Sequence, residues 1–238
     1  MIYILAFVLG TVFGSFFNVA FSRSDWYKGR SRCDWCGYTL KWYDLVPVVS
    51  YIALRGKCRK CGTKIDKQHL ICECMTGTAF LCAAIAFSRT DLWTGLMYFC
   101  GIFFMSAASV QDIKERCVYS GILYAGIFSC LTFCLIPCII DMEWENAIYK
   151  VCVVIAAELV FWVLSKFLSQ KIGDGDFDLM LMMVIMFGIY KMVVALTIGN
   201  IIGCIVYGFL IITKKHDKNK PIAYAPILLL GTAVGMVI

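Results

Sequence analysis

The stretch Val118–Ile140 reads VYSGILYAGIFSCLTFCLIPCII and contains no charged residue in 23 positions. As an α-helix it would be about 35 Å long, enough to cross a hydrocarbon core about 30 Å thick. The whole chain has this character, since 61% of its 238 residues are hydrophobic and 16% are charged. Soluble domains average about 45–50% apolar and about 25% charged residues. The composition therefore excludes a soluble enzyme, a soluble DNA-binding protein and a disordered chain, and it predicts a multi-pass membrane protein.

Eight apolar stretches of this kind predict an all-α integral membrane protein. They lie near Ile2–Phe21, Leu70–Ser88, Leu92–Val110, Val118–Ile140, Ala147–Leu168, Leu179–Ile189, Val193–Ile212 and Ile222–Ile238. The first has the length of a signal peptide but lacks a basic start and a clear cleavage site, so we interpret it as a retained span. The predicted organisation is a first helix over 1–22, an insertion over 23–69 and a core of about seven helices over 70–238.

The basic residues predict which loops face the cytoplasm. Eleven of the 22 Lys and Arg residues lie between Arg23 and Lys67, among only four acids. Basic loops mark the cytoplasmic side of a membrane protein. If the insertion is cytoplasmic, eight spans also place the loops 111–117, 169–178 and 213–221 there, each of which contains at least one Lys or Arg, whereas the opposite loop 141–146 carries three acids and no Lys or Arg. The net charge of +6 thus indicates membrane topology and not nucleic-acid binding, and both termini are expected outside the cell membrane.

Four cysteines in the insertion have the spacing of a metal site. Cys33 and Cys36 form one Cys-x-x-Cys pair, and Cys58 and Cys61 form a second, each followed by a glycine. Two such pairs suit tetrahedral Zn coordination by four thiolates, and neighbouring basic side chains favour the thiolate form. A site with four protein ligands has no open position, so we predict a structural metal that does not catalyse. Redox thiols and a coincidental spacing are the alternatives.

Acidic residues at the ends of two spans are the candidates for catalysis. Asp112 ends the third span, and Asp176 opens the sixth in the sequence Gly173-Asp-Gly175-Asp176. The predicted topology puts both at the cytoplasmic ends of their helices. Two facing carboxyl groups can share a proton, so that one activates a water molecule while the other donates to a carbonyl oxygen, as in aspartic proteases. Gly173 and Gly175 would let the backbone and a substrate approach closely.

Residue chemistry alone leaves other interpretations open. Asp176 and Asp178 could stabilise a helix N-terminus as cap or first-turn residues, and Asp174 and Asp178 compete with Asp176 for a catalytic role. A cation-coupled transporter would use intramembrane acids, although deeper in its spans than these. A non-catalytic assembly scaffold, with the metal insertion as its docking element, is a further alternative.

Taken in order, the motifs resemble the type IV prepilin peptidase family, the GxGD-type intramembrane aspartic proteases. Gly14-Ser-Phe-Phe-Asn18-Val19 is similar to the opening motif of that family, and Glu73-Cys-Met-Thr76-Gly77 to the motif that begins its second span. Ala223-Tyr-Ala-Pro226 is similar to its closing element. Together with the four-cysteine insertion and the GxGD sequence, the resemblance covers nearly the whole chain.

The resemblance implies a function and selects among the acids. It places the catalytic pair at Asp112 and Asp176, and it implies that the substrates are type IV prepilins or pseudopilins. Their short basic leader is cut at the cytoplasmic membrane face, between a glycine and an apolar helix. Many members also methylate the new N-terminus with S-adenosylmethionine. The implied cofactors are therefore structural Zn and S-adenosylmethionine, and the implied surroundings are prepilin and membrane lipid, without nucleic acid.

Two positions depart from the family pattern. Val118-Tyr119 stands where the family usually has Ile-Pro after the first aspartate, and Asp178 stands where it usually has Lys. A third carboxylate near the pair would repel the charge of Asp176. We expect this to affect the activity level, pH optimum or substrate choice more than the type of reaction.

Overall fold

Long helices dominate the computed structural model of the chain, which describes residues 1–22, 30–168, 173–213 and 222–238. Arg23, Lys171 and the lysines of 214–221, on which the predicted orientation partly depends, lie outside the described residues. The helices are α1 (Ile2–Ala20), α2 (Val49–Ala53), α3 (Lys67–Phe87), α4 (Leu92–Glu115), α5 (Ser120–Ile140), α6 (Trp144–Leu168), α7 (Asp174–Ile212) and α8 (Ala225–Val237), with a 3₁₀ turn at Trp42–Asp44.

The helices confirm a multi-pass α-helical membrane protein. Among the described residues, six helices are long and apolar enough to cross a membrane, and α8 is a shorter apolar helix. The longest, α7, is interrupted at Gly188 and comprises the predicted sixth and seventh spans. The turn expected at Tyr190–Lys191 therefore lies two residues earlier, and the eighth span is shorter than predicted. With α7 divided in this way, the count agrees roughly with the eight predicted spans.

The division of α7 at Gly188 depends on a backbone conformation that is open to glycine but not to other residues. Its φ of 79° and ψ of 172° lie in a region that residues with a Cβ essentially do not adopt. Residues 174–187 form the first leg of α7, and residues 189–212 form the second. Met186 of the first leg contacts Gly101 in the middle of α4, whereas Tyr207 of the second leg lies close to Asp112 at the end of α4. The second leg therefore returns towards the end of the bundle at which α7 begins.

The chain forms two compact units, Met1–Leu81 and Cys82–Ile238. In the first unit, α1 and α3 pack antiparallel through small residues. The Thr76 hydroxyl lies 2.9 Å from the carbonyl oxygens of Gly10 and Cys72, and a Cβ at Gly10 would lie 2.7 Å from the carbonyl oxygen of Thr76. Small residues with interhelical hydrogen bonds are how helices associate in lipid, where apolar burial between helices gives little driving force.

In the second unit, the second leg of α7 packs antiparallel on α8. A Cβ at Gly199 would lie 2.8 Å from the carbonyl oxygen of Ile227 and 3.3 Å from the Cα of Gly231. One turn further along, Gly203 faces Ile227, and then the Tyr207 hydroxyl donates to the carbonyl oxygen of Ala223 at 3.2 Å. As the contacts move four residues forward along α7, they move four residues back along α8 and the segment just before it. Close backbone contact through glycine therefore fixes the register of this helix pair.

Replacing Gly199 with Ala should destabilise the second unit. The new Cβ would press on the backbone carbonyl of Ile227, which cannot rotate away, and overpacking of this kind costs about 1–3 kcal/mol. The matched control is Gly208→Ala on the same helix, because a Cβ there meets no atom within 4 Å. Thermal unfolding in detergent should show a lower midpoint for Gly199→Ala and an unchanged or higher one for Gly208→Ala. Equal midpoints would contradict this helix contact.

Candidate active site

The carboxyl group of Asp112 lies at the N-terminus of α8. Asp112 is on the last turn of α4 and is 9% exposed. Its Oδ2 accepts a hydrogen bond from the backbone N–H of Ala225 at 3.0 Å, and it also accepts from the N–H of Tyr224. Ser109, one turn earlier, donates to the carbonyl oxygen of Ala225 at 3.0 Å. The last turn of α4 therefore caps α8, whose first N–H groups have no partner within the helix.

Asp176 lies beside Asp112. It is the third residue of α7, and its N–H donates to the carbonyl oxygen of Gly173 at 3.0 Å. The Asp176 carboxyl group is half-buried and is close enough to Asp112 for their charges to repel each other. A Cβ at Gly175 would lie 3.3 Å from the side chain of Leu123, so this glycine lets the start of α7 approach α5. The structure thus brings together two acids that are 64 positions apart in the sequence.

The structure separates Asp176 from the two acids that compete with it. Asp174 and Asp178 are two residues before and after Asp176, so they lie on the opposite face of the helix. Asp178 interacts with Asp174 and with Glu158 of α6. These three acids line a cavity of about 400 Å³ that also contains Lys166. Asp176 is therefore the acid of this segment that faces Asp112, and the expected repulsion of its charge by Asp178 is wrong, because Asp178 faces Glu158.

Three neighbours of the two acids were not expected from the sequence. Arg116 ends α4 with a left-handed φ of 56°. Its side chain forms a hydrogen bond with the Tyr207 hydroxyl, and its positive charge attracts the negative charge of Asp112. The Tyr224 hydroxyl donates to Oδ1 of Asn200 at 3.0 Å. The Tyr224 side chain also lies close to Asp176. The closing motif Ala223–Pro226 was the sequence signal for this region, but it did not reveal a contact with Asp112.

This arrangement suits acid–base chemistry on a peptide bond. The two acids face each other, but two N–H donors and the Arg116 cation stabilise negative charge on Asp112, whereas Asp176 has, among the described residues, only the backbone donor of Gly173. Unequal surroundings of this kind allow one carboxyl group to be ionised while the other keeps its proton. An ionised acid can take a proton from water, and a protonated acid can donate one to a carbonyl oxygen.

In the first unit, the four cysteines of the insertion converge. The Sγ atoms of Cys33 and Cys61 are 4.0 Å apart, as are those of Cys36 and Cys58. All four lie within 4.8 Å of one another. Four sulfurs bound to Zn at about 2.3 Å would be about 3.8 Å apart. The cluster therefore has the size of a four-thiolate metal site, and its sulfurs are much farther apart than the ~2.05 Å of a disulfide.

The two cysteine pairs have the same backbone geometry. In each pair the N–H of the following glycine donates to the carbonyl oxygen of the first cysteine at 3.0 Å. Gly37 and Gly62 have φ values of 65° and 71°, as expected for tight turns that require a left-handed residue. The pKa of Cys33 is lowered, first by the backbone N–H of Cys36. A hydrogen bond with the Thr63 hydroxyl lowers the pKa of Cys61 to about 6, whereas the pKa of Cys36 is raised to about 11. The thiolate form that binds metal is thus favoured at Cys33 and Cys61.

Ion pairing holds the second cysteine pair in place. Arg59, inside that pair, donates through Nε to Oδ1 of the buried Asp44 at 2.8 Å, and this contact raises the pKa of Arg59. Oδ2 of Asp44 accepts from the N–H of Lys41 at 3.2 Å. The 3₁₀ turn and the second cysteine pair are therefore joined through one carboxylate.

Comparison with known families finds two models that match consecutive parts of the chain. The model described as the bacterial peptidase A24 N-terminal domain matches residues 8–87. The model of the type IV leader peptidase family matches residues 99–209. The first match includes all four cysteines of the cluster, and the second includes Asp112 and Asp176.

Curated relatives carry names of the same kind. A prepilin leader peptidase/N-methyltransferase of Bacillus subtilis is 26% identical over 96% of this chain and 91% of its own length. One of Stutzerimonas stutzeri is 23% identical over 97% of this chain and 89% of its own length. One of Myxococcus xanthus is 38% identical, over 37% of this chain and 27% of the relative. No solved structure matches the chain. The two family models and the nearly full-length relatives show that this chain belongs to the type IV leader peptidase family.

Proposed function

We propose that this protein is a membrane aspartic endopeptidase that removes the leader of type IV prepilins or pseudopilins at the cytoplasmic face of the cell membrane. The observation that carries the proposal is that Asp112 and Asp176 lie at one end of the helix bundle, close enough for their charges to repel each other. Membership of the family supports the reaction, and the names of the relatives support the substrate. The basic loops of the sequence support the cytoplasmic side.

In this mechanism Asp112 is the general base and Asp176 the general acid. Asp112, with N–H donors from Tyr224 and Ala225, takes a proton from a water molecule that attacks the scissile carbonyl carbon. Asp176 donates its proton to the carbonyl oxygen, and a tetrahedral diol forms. When the C–N bond breaks, a proton passes to the leaving amine, so that the roles of the two acids can exchange through the cycle.

The alternatives left open by the sequence are not favoured by the relatives, which are named as peptidases. A transporter would place its acids near the middle of the spans. Here Asp112 lies three residues before the end of α4, and Asp176 is the third residue of α7.

Asp112→Asn and Asp176→Asn should each lower the rate of leader cleavage by about 100-fold or more, because each removes one partner of acid–base catalysis. In the Asp112→Asn protein the new side-chain amide oxygen can still accept from the N–H of Ala225, so α8 keeps its cap. The loss of cleavage activity then reflects the missing catalytic group and not a displaced helix. The assay is cleavage of a co-expressed prepilin in membranes, read by gel shift and by the mass of the new N-terminus.

Asp174→Asn and Asp178→Asn are the matched controls, since both acids face Glu158 and not Asp112. They should retain cleavage within a few-fold of wild type. Full cleavage by Asp176→Asn together with loss in Asp178→Asn would overturn the assignment. Cleavage that persists in both Asp112→Asn and Asp176→Asn would refute the aspartic mechanism.

For the four-cysteine cluster we propose structural Zn. Its support is the donor set of four sulfurs within 4.8 Å and the matching turn geometry of the two cysteine pairs. The insertion has little apolar core of its own, and a metal supplies stability that so small a segment lacks. Four ligands leave no position for water, so this metal takes no part in peptide hydrolysis.

Cys58→Ser should reduce bound Zn from a stoichiometric amount to near zero, because three remaining thiolates hold the metal far more weakly. The measurement is metal content by mass spectrometry of the purified chain. Cys152→Ser is the control, since Cys152 is an exposed cysteine on α6. Unchanged Zn in Cys58→Ser, or no Zn in wild type, would contradict a structural metal here.

We also propose N-methylation of the cleaved product with S-adenosylmethionine, on the names of the relatives. The first unit offers a cavity of about 340 Å³ lined by Asp44, Tyr51 and Glu73, within the range of small-molecule sites, about 300 Å³ and upward. The Tyr51 ring suits an adenine base, whereas the Asp44 carboxylate is already paired with Arg59 and Glu73 already accepts from the Val48 N–H. The methyl carbon would pass from sulfur to the new N-terminal amine, which loses a proton.

In the cleavage assay, N-methylation should appear as one added CH₂ unit on the mature N-terminus. The gain should disappear when cleavage is blocked by Asp112→Asn, since the acceptor amine is then not released. A mature product that lacks this mass gain in the presence of S-adenosylmethionine would contradict the second activity and leave the first intact.

A further inference from the structure

The outward face of the short helix α2 is apolar. Val49 and Ile52 are 62% and 65% exposed, and Ala53 beside them is exposed as well. On the other side, Ser50, Tyr51 and Leu54 line the cavity of the first unit. A helix on a water-facing surface has the reverse arrangement, with polar residues outside. The outward face of α2 is therefore not built for water.

This face continues into the segment before α2. Trp42 is 75% exposed, Leu45 44% and Val46 37%. We call Trp42, Leu45, Val46, Val49 and Ile52 the interfacial patch. Exposed basic residues flank it on both sides in the sequence, namely Lys41 before it and Arg55 and Lys57 after it. An apolar surface bordered by Trp and basic side chains is typical of elements that lie in a membrane interface.

A hydrogen bond fixes the depth of α2 relative to α3. The N–H of Val48, the residue before α2, donates to Oε2 of the buried Glu73 at 2.7 Å. Val48 has a φ of 61°, a conformation that a β-branched residue adopts only where its surroundings impose it. Glu73 lies six residues after Lys67, where α3 begins, which is about 9 Å along the helix axis.

Almost the whole of α3 is needed to cross the membrane. Its 21 residues span about 32 Å, against a hydrocarbon core of about 30 Å. With its first residue at the edge of the core, a residue about 9 Å along the axis lies about 8 Å inside the hydrocarbon, within the ~5–10 Å to which interfacial helices bury their apolar face. Since Val48 is bonded to that residue, the start of α2 lies at the same level.

Helix α1 gives the same depth independently. Glu73 lies close to the Ser15 side chain, and a Cβ at Gly14 would meet the Thr76 hydroxyl. Ser15 lies five residues before the end of α1 at Ala20, about 8 Å along the axis. Both spans of the first unit thus place α2 deeper in the membrane than the end of α1 and the start of α3.

We infer that the interfacial patch is embedded in the membrane interface and that its partner is the lipid bilayer. The apolar side chains contact the upper acyl chains, and Trp42 lies at headgroup level. Lys41, Arg55 and Lys57 reach back to anionic headgroups, as long basic side chains do at membrane surfaces. The insertion is then held against the bilayer at a third place, besides its two flanking spans.

Site-specific photocrosslinking in the full chain tests this inference. The photoreactive residue benzoylphenylalanine replaces Ile52 in one protein and Lys60 in another. Both positions are exposed, but Lys60 lies in the turn of the second cysteine pair, outside the patch. Each protein is reconstituted into vesicles of phosphatidylethanolamine and phosphatidylglycerol, irradiated and analysed by mass spectrometry. We expect lipid adducts at position 52 and only a background level of lipid adducts at position 60.

Three outcomes would overturn the inference. Equal lipid adducts at both positions would show non-specific contact. Adducts at position 52 that join two copies of the chain would make the patch a self-association surface. A shift of the position 52 adducts from lipid to prepilin, when prepilin is added, would make it a substrate contact. Benzoylphenylalanine at Val49, on the same face of α2, gives a second position should the substitution at Ile52 prevent insertion.

Discussion

A buried carboxylate holds the second unit together at the end where its acids meet. Asp112 accepts backbone N–H groups from the start of α8, and these groups have no acceptor inside their own helix. In lipid an unsatisfied backbone group costs several kcal/mol. The position of α8 therefore depends on Asp112, and the register of α8 against the second leg of α7 depends in turn on where α8 begins. The same carboxylate carries the proposed chemistry, so structure and catalysis share one group.

This double role explains why the candidate pair lies at a helix end and not in the middle of a span. A helix N-terminus supplies N–H donors and the positive end of a helix dipole, and both stabilise negative charge. Asp176 also lies at a helix N-terminus, on the first turn of α7, but it gains no donor from α8 and the charge of Asp112 opposes its ionisation. The electrostatic difference between the two acids thus arises from the way α4, α7 and α8 are arranged.

The interfacial patch and the cysteine cluster belong to one insertion with two kinds of support. Four sulfurs bring its two turns together, while Glu73 ties the start of α2 to a membrane helix. A segment of this size cannot bury enough apolar surface to fold by that means alone. Exposure of Val49 and Ile52 to water is unfavourable, and contact with lipid would remove that apolar surface from water. The proposed metal and the inferred lipid contact would together replace the core that the insertion lacks.

The sequence by itself determined the fold class, the approximate number of spans, the four-cysteine spacing and the family. These features are local, because the length of an apolar run and the distance between cysteines in the chain constrain the structure directly. The sequence also offered Asp112 and Asp176, but residue chemistry could not choose between Asp176, Asp174 and Asp178.

Only the tertiary structure decided that Asp176 faces Asp112 while Asp174 and Asp178 face Glu158. It also decided that Arg116, Tyr207 and Tyr224 surround the pair, that α7 folds back at Gly188, and that α2 lies at the level of Glu73. Each of these depends on contacts between residues far apart in the chain. Such contacts are set by how helices pack against one another, which no pattern within a single segment records.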